Sequence, residues 1–338
     1  MKRSVLRLSI PFRRPFATAS GVVGARELLV LRLEDEGGLV GHGEAAPFEP
    51  YDGVPLELVA AALRGGPAGR DVPPQAQAAE EMARLDLEAR RAGRPLGEPG
   101  AEAIAVNCTL DAGPPEEVAE RARAAAHEGY ACFKLKVGLP DDLERVAAVR
   151  GAIGPWPALR LDANGAWEVG QAIETINRLS EHDLQFVEQP CPTLADLAEV
   201  RLATDVPIAA DEPITGPGDV RAAAETGACD VVNVKLASAG GYSAARETLR
   251  AASQHGLEAF LSSTFDGPWG IAAALQLAAS ERLSLACGLA TLELFDASLA
   301  QALSAPKAGL LAVPQGPGLG VVVEPAALEE VLVEEVAA

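Results

Sequence analysis

Histidine, cysteine, lysine and aromatic residues are all scarce in this 338-residue sequence. The four histidines (His42, His127, His182 and His255) lie far apart and form no HExxH pair, so nothing marks a zinc hydrolase. The five cysteines (Cys108, Cys132, Cys191, Cys229 and Cys287) are odd in number and include no CxxC. Neither a disulfide framework nor a zinc ribbon is indicated. No apolar run reaches the roughly 18 residues of a membrane helix. The basic start, Met1-Lys2-Arg3, is followed by no signal-like apolar block. A cytoplasmic location without a membrane partner is expected. Positive charge is short as well: 28 Lys and Arg against 48 Asp and Glu leave a formal net charge of −20. Such a chain suits neither phosphate backbones nor anionic lipid, so no nucleic-acid partner is expected.

Apolar residues, in contrast, make up 49%, ample for a large core. The length suits about two domains, or one large barrel with additions. Residues 1 to 92 read as a small α+β unit. Strand-like stretches lie near residues 5–10, 26–33 and 39–45, the last two joined by the hairpin signal Glu34-Asp35-Glu36-Gly37-Gly38. Helical stretches follow near 56–63 and 75–92, then a Gly/Pro-rich linker to Gly100. From residue 103 onwards, short apolar runs alternate with Ala/Glu/Arg-rich helical stretches. The runs are 103–110, 132–137, 159–163, 185–188, 208–211, 231–235, 258–262 and 283–287. Marker residues within them (Cys108, Lys134, Asp162, Glu188, Asp211, Lys235, Ser262 and Cys287) recur every 23 to 28 residues, the length of one βα unit. Eight such units predict an α/β fold with a TIM-type barrel over residues 101–300. An α+β capping domain precedes it at 1–100, and 301–338 is expected to return to that domain.

Ionisable residues gather at the ends of five consecutive runs: Lys134 and Lys136, Asp162, Glu188, Asp211, and Lys235. In a parallel barrel these ends open on one face, where active sites form. The two-residue pleat puts Lys134 and Lys136 on one side of their strand, and Arg160 and Asp162 on one side of theirs. Singly, each has an ordinary reading, such as helix capping by Asp162 or Asp211. Together they are three anions whose burial is costly without a cation. Only five lysines occur beside 23 arginines, the other two being Lys2 and Lys307. Lysine, unlike arginine, can lose its proton when desolvated or crowded by positive charge. Three carboxylates with water and substrate oxygens match the hard shell of Mg2+. A divalent ion beside two facing lysines suits removal of a proton α to a carboxylate.

At these residues the sequence resembles the enolase superfamily, in its muconate-lactonizing-enzyme-like subgroup. Lys134-Leu135-Lys136, Asp162-Ala163-Asn164, Glu188-Gln189-Pro190, Asp211-Glu212 and Lys235 carry the resemblance, in order and spacing. Asp86-Leu87-Glu88-Ala89-Arg90 with Pro95-Leu96-Gly97 looks like the family's entry into the barrel. The resemblance implies an N-terminal capping domain on a (β/α)7β barrel. It implies Asp162, Glu188 and Asp211 as ligands of Mg2+, with Mn2+ as a substitute. It further implies Lys136 and Lys235 as the acid/base pair, with Lys134 beside the substrate carboxylate.

The stretches Ser262-Ser263-Thr264-Phe265-Asp266-Gly267 and Gly288-Leu289-Ala290-Thr291-Leu292-Glu293 look like the o-succinylbenzoate synthase branch. The Asp-x-Asp usual after the eighth strand of dipeptide epimerases is absent. This implies dehydration of 2-succinyl-6-hydroxy-2,4-cyclohexadiene-1-carboxylate to o-succinylbenzoate through an enediolate, a step of menaquinone synthesis. Asn164, Ser262, Ser263 and Gly288 are then candidate substrate contacts. Racemisation of N-acylamino acids or epimerisation of dipeptides by the same lysines is the alternative. A metal-free Schiff-base aldolase and a non-catalytic acidic scaffold stand further off. The expected partner is a small-molecule carboxylate, and a homo-oligomer is compatible with the sequence. Loops around residues 17–21 and 48–53 are candidate lids. Trp167 and Trp269 are read as packing residues.

Overall fold

The computed structural model describes residues 1–18, 21–65, 72–111 and 113–338. Strands β1 (Lys2–Thr18), β2 (Gly21–Glu34) and β3 (Val40–Ala45) form an antiparallel sheet. Its pleat alternates between two cores. Leu28 and Val30 face the barrel. Leu29, Leu31 and Leu33 join a second core with Val59, Leu63, Ala79 and Ala83. The latter four come from helices that follow the short α1 (Glu49–Asp52), namely α2 (Leu56–Gly65) and α3 (Pro74–Arg91). Burial on both faces explains why β2 is apolar at nearly every position from 28 to 33. Helix α3 lies directly on β3 at Gly41 and Gly43, where an added Cβ would meet the carbonyls of Ala83 and Ala79.

After β4 (Ala103–Ala105), seven strands form one curled parallel sheet in sequence order. They are β5 (Cys108–Leu110), β6 (Cys132–Lys136), β7 (Ala158–Asp162), β8 (Leu184–Glu188), β9 (Ile208–Ala210), β10 (Val231–Val234) and β11 (Glu258–Leu261). Strands β9 and β10 are buried at every position, as parallel strands covered on both faces are. The intervening helices are α4 (Pro115–His127), α5 (Asp142–Ile153), α6 (Val169–Leu179), α7 (Leu194–Leu202), α8 (Pro217–Thr226), α9 (Leu236–Ala239) and α10 (Tyr242–Gln254). Helix α6 is amphipathic and buries only Ala172, Ile176 and Leu179. Helix α11 (Pro268–Ser280) is buried from Pro268 to Ala279, because it touches both the barrel and β3 of the N-terminal sheet.

Two of the eight expected strands differ. Run 103–110 is broken in two: β4 pairs antiparallel with β12 (Leu310–Ala312), whereas β5 pairs parallel with β6. The partner changes at Val106 and Asn107, whose N–H groups donate to Gly309 O and Cys287 O. Run 283–287 forms no strand. Only Cys287 and Gly288 bridge the sheet edges, to Val106 on one side and Ser262 on the other. Short 3-10 turns, Ala290–Leu294 and Ser298–Ala302, follow this link. Beyond them come α12 (Pro325–Glu329) and β13 (Leu332–Ala337), the latter antiparallel to β1. All five cysteines are free, and no described helix is long and apolar enough to cross a membrane.

Arg160 secures the closing link from inside the barrel. Its Nη1 donates to Ala286 O and its Nε to Gln185 Oε1, both at 2.7 Å. Its guanidinium lies over Phe186 and Phe260, 4.7 and 5.0 Å from the ring centroids. Arg160→Ala should therefore lower unfolding stability by about 3 kcal/mol in urea titration, through a cavity and an orphaned carbonyl. A loss under about 1 kcal/mol would mean that the link holds without it.

Glu44 joins the two domains. Its carboxylate accepts from Gly267 N (2.6 Å) and Gly270 N (3.2 Å) at the start of α11. Burial and the neighbouring Asp266 push it up to about 8, against the pull of those two N–H groups and Arg26. The folded chain then keeps a proton that an unfolded glutamate, near 4.5, has lost. The stability it contributes is full below that lower value and is lost as pH rises through the higher one. Glu44→Gln should flatten the fall of Tm on the alkaline side; an unchanged slope would place that titration elsewhere.

Candidate active site

Strand register brings the charged residues to one level. Lys136 stands opposite Asp162, and Asp162 opposite Glu188. Asp211 directly follows β9 and Lys235 directly follows β10. Across the sheet they form an arc with lysines at both ends, since β7, β8 and β9 lie between β6 and β10.

The arc is dry and closely paired. Asp162, Glu188 and Asp211 are at most 4% exposed. Lys134 Nζ lies 2.8 Å from Asp162 Oδ2 and 2.7 Å from Glu188 Oε2. Lys136 Nζ donates to Asp162 Oδ2 and Asn164 Oδ1, both at 2.6 Å. Lys235 Nζ donates to Asp211 Oδ1. Burial alone would raise Asp162, but Lys134 and Lys136 outweigh it and hold this carboxyl well below the usual range. Burial prevails at Glu188 and pushes it up, despite the attraction of Lys134. Burial also works against the charge of Lys134, yet Asp162, Glu188 and Asp211 overcome it and raise this lysine. Lys134 is thus a fixed ammonium, unsuited to act as a base.

A cavity of about 370 Å3 opens over the arc. Lys134, Lys136, Asp162, Asp211 and Lys235 line its floor, and Asn164, Ser262, Ser263 and Gly288 also reach it. Glu188 lies beneath rather than on its wall. Asn164 has both ends held by protein: Oδ1 accepts from Lys136, and Nδ2 donates to Glu212 Oε1 at 3.0 Å. Ser262 Oγ donates to Asn233 Oδ1 (2.7 Å), and the Ser263 hydroxyl pairs with that of Thr291 (2.8 Å). Gly288 packs so near Ser262 that an added Cβ would stand 2.8 Å from the serine Cβ. Trp167 and Trp269 are buried in the core and do not line this cavity. A separate groove of about 430 Å3, beside Arg13 and Glu293, holds none of the expected site residues.

Of the two candidate lids, residues 48–53 supply Phe48, Pro50 and Tyr51 to the cavity wall. Residues 19 and 20 of the other lie outside the described residues. Tyr51 falls in the expected lid at 48–53, but its contact with the arc is the main feature that sequence reading missed. Its hydroxyl donates to Asp211 Oδ1 (3.0 Å) and accepts from Lys235 Nζ (2.9 Å). No local pattern could link residues 160 positions apart. Asn233, which donates to Glu188 Oε1 at 2.9 Å, was missed as well. Glu212, named in the motif but given no role there, is pushed up to about 8 by burial and by Asp211 and Asp162. Asn164, Gln189 and Phe265, all in or beside the site, are three of the six described non-glycine residues with positive φ. Such backbone strain gathers where side chains must be aimed.

The donor chemistry fits a hard cation: three buried carboxylates, with Glu212 Oε2 beside them lacking a hydrogen bond. As the side chains stand, all three carboxylates are drawn onto ammonium groups. Among the described residues, no three His, Cys, Asp or Glu side chains are arranged to hold a metal. The strands thus bring the expected ligands to one place without closing a coordination shell. Lys134→Met removes the ammonium that serves two buried carboxylates. It should lower stability by about 3–5 kcal/mol in chemical denaturation without added metal, the usual loss for a broken buried pair. A neutral result would show that the carboxylates are compensated in another way.

Comparison with known proteins places the chain. Residues 117–327 match the family model described as Enolase C-terminal domain-like. The o-succinylbenzoate synthase of Thermobifida fusca (strain YX) is 36% identical over 311 residues, 89% of this chain and 86% of that protein. The L-Ala-D/L-Glu epimerase of Bacillus subtilis (strain 168) is 30% identical over 352 residues, 94% of each chain. The dipeptide epimerase of Enterococcus faecalis V583, solved with Mg and the dipeptide L-Leu-L-Tyr, superposes with a TM-score of 0.87 at 27% identity. That match covers 95% of this chain and 99% of the epimerase. With the family model, the relatives and the barrel in agreement, the chain belongs to the enolase superfamily, in its muconate-lactonizing-enzyme-like subgroup.

Proposed function

We propose that this protein is a magnesium-dependent lyase, an o-succinylbenzoate synthase acting in menaquinone synthesis in the cytoplasm. The observation that carries the reading is the placement of Lys136 and Lys235 at opposite ends of the carboxylate arc, facing one cavity. A flat acid lying between them presents one face to each amine. Asp162, Glu188 and Asp211 would hold the magnesium ion, which when bound supplies positive charge to the substrate carboxylate as its α-proton leaves. Mn2+ would serve in its place.

Lys136 takes the α-proton and then, as an ammonium, gives it to the hydroxyl departing from the same face. Lys235 remains charged over the opposite face and stabilises the planar anion. Lys134, a permanent ammonium, steadies the carboxylate. Asn164 keeps Lys136 aimed, with its own amide fixed by Glu212. Ser262, Ser263 and Gly288 shape the far wall. With Thr264, Phe265 and Thr291, that wall offers hydroxyls and an aromatic ring but no carboxylate. It therefore suits a succinyl arm better than the ammonium of a dipeptide.

A second reading keeps the site and changes the substrate: racemisation of N-acylamino acids or epimerisation of dipeptides. Similarity to the B. subtilis epimerase along nearly the whole chain favours it, as does a lysine on either face. One assay decides. The cyclohexadiene acid, N-succinylamino acids and L-Ala-L-Glu are compared by kcat/KM in the presence of Mg2+. Dehydration should lead, and EDTA should abolish it. Lys136→Ala and Lys235→Ala should each lower kcat by about 10^3-fold or more while the circular dichroism spectrum is unchanged. Epimerisation without dehydration would replace the first reading with the second.

A further inference from the structure

We propose that Arg26 is a positioning residue that ties the two walls of the cavity together and thereby holds Tyr51 against Lys235. Arg26 lies on β2, far from the carboxylate arc in sequence, and is 3% exposed. Four hydrogen bonds run from its guanidinium to main-chain carbonyls. Nη1 donates to Glu27 O and Pro47 O, both at 2.6 Å, and Nη2 to Ala46 O at 2.7 Å. Nε donates to Thr264 O at 3.1 Å. Three of these carbonyls belong to the N-terminal domain and the fourth to the barrel. Ala46 and Pro47 lead into Phe48, Pro50 and Tyr51, one wall of the cavity. Thr264 sits between Ser263 and Phe265, the other wall.

The rings follow the same connection. The guanidinium lies 5.1 Å from the centroid of Phe48, and Phe48 meets Phe265 edge-on at 5.9 Å. From Phe48 the backbone is fixed onward: Tyr51 N donates to Phe48 O at 2.7 Å, and Phe48 N donates to Asp52 Oδ2 at 3.0 Å. Tyr51 then bridges Lys235 and Asp211. A buried cation is an expensive way to glue two domains, and an apolar side chain would fill the space with less desolvation. It could not, however, satisfy four carbonyls. A lysine has a single charged centre and cannot fork across both walls.

The proposal rests on Lys235 as a catalytic residue, and its test separates the two ideas. Arg26→Lys is compared with wild type by hydrogen–deuterium exchange of residues 46–53 and 262–267. Both segments should exchange about tenfold faster together, with α3 and β13 unchanged. Faster exchange throughout the N-terminal domain, or in one segment alone, would overturn the tie. A double-mutant cycle with Tyr51→Phe then reads kcat on the best substrate. Each single variant should lose about tenfold, and the pair no more than the worse single, as coupled residues do. Losses that multiply would overturn positioning through Tyr51. If wild type turns over none of the acids tested, the functional reading fails, while the exchange result still decides whether Arg26 joins the walls.

Discussion

Three carboxylates share a buried surface at the strand ends because three ammonium groups share it with them. Removing a carboxylate from water costs several kcal/mol, and only close, hydrogen-bonded partners offset it. Lys134 serves Asp162 and Glu188, Lys136 serves Asp162, and Lys235 serves Asp211. The fourth acid, Glu212, makes no ion pair with these lysines and accepts from the Asn164 amide instead. Burial and the nearby Asp211 and Asp162 push it up to about 8, which favours its neutral form beside the arc. Register makes this pairing possible. A one-residue slip of β6, β7 or β8 would turn its charged end out of the cavity and leave its neighbours unpaired.

The protein divides its cations by chemistry. Some arginines, such as Arg90 and Arg145, pair with carboxylates, but others serve as permanent, forked donors to main-chain carbonyls. Arg160 ties the closing link of the sheet, Arg150 gathers the carbonyls of Gly154, Pro157, His182 and Asp183, and Arg26 spans the two domains. Lysine is kept in the arc, where a compact charge meets a carboxylate and, on the proposed mechanism, Lys136 exchanges a proton with the substrate. Three of the five lysines lie in the arc, which made that asymmetry readable in the composition alone.

Legibility followed periodicity. Strands β6 to β11 begin and end within one or two residues of the apolar runs, because most of their positions are buried in the barrel. The charged ends of those runs stand out against this background, and so the arc was legible. Run 103–110 looks continuous because β4 and β5 are both mainly apolar, but hydrophobicity cannot report that the partner changes at Val106. The contacts of Tyr51 and Arg26 left no trace for a related reason. Their partners are set by how the N-terminal domain sits on the barrel, and neither residue falls on a repeating pattern. The left-handed backbone at Gln189 is equally silent, since glutamine has no special liking for it.

The same division bears on substrate choice. The floor of the cavity comes from in-register strands, and its chemistry, proton removal next to a carboxylate, is written in motifs. The walls come from the two places where the barrel repeat fails or does not reach. One is the segment leading from Ala46 to Asp52. The other is the closing link, where Gly288 N donates to Leu261 O and Ser263 N donates to Gly288 O. With Gly288 packed on Ser262, that wall presents the hydroxyls of Ser263 and Thr291 instead of a side chain from position 288. A floor common to several reactions and walls built from irregular backbone make the half-reaction a property of the fold and the substrate a property of the loops. On the proposed reading, discrimination between a succinyl arm and a peptide ammonium comes from the few groups on those walls, Ser263, Phe265 and Thr291 among them.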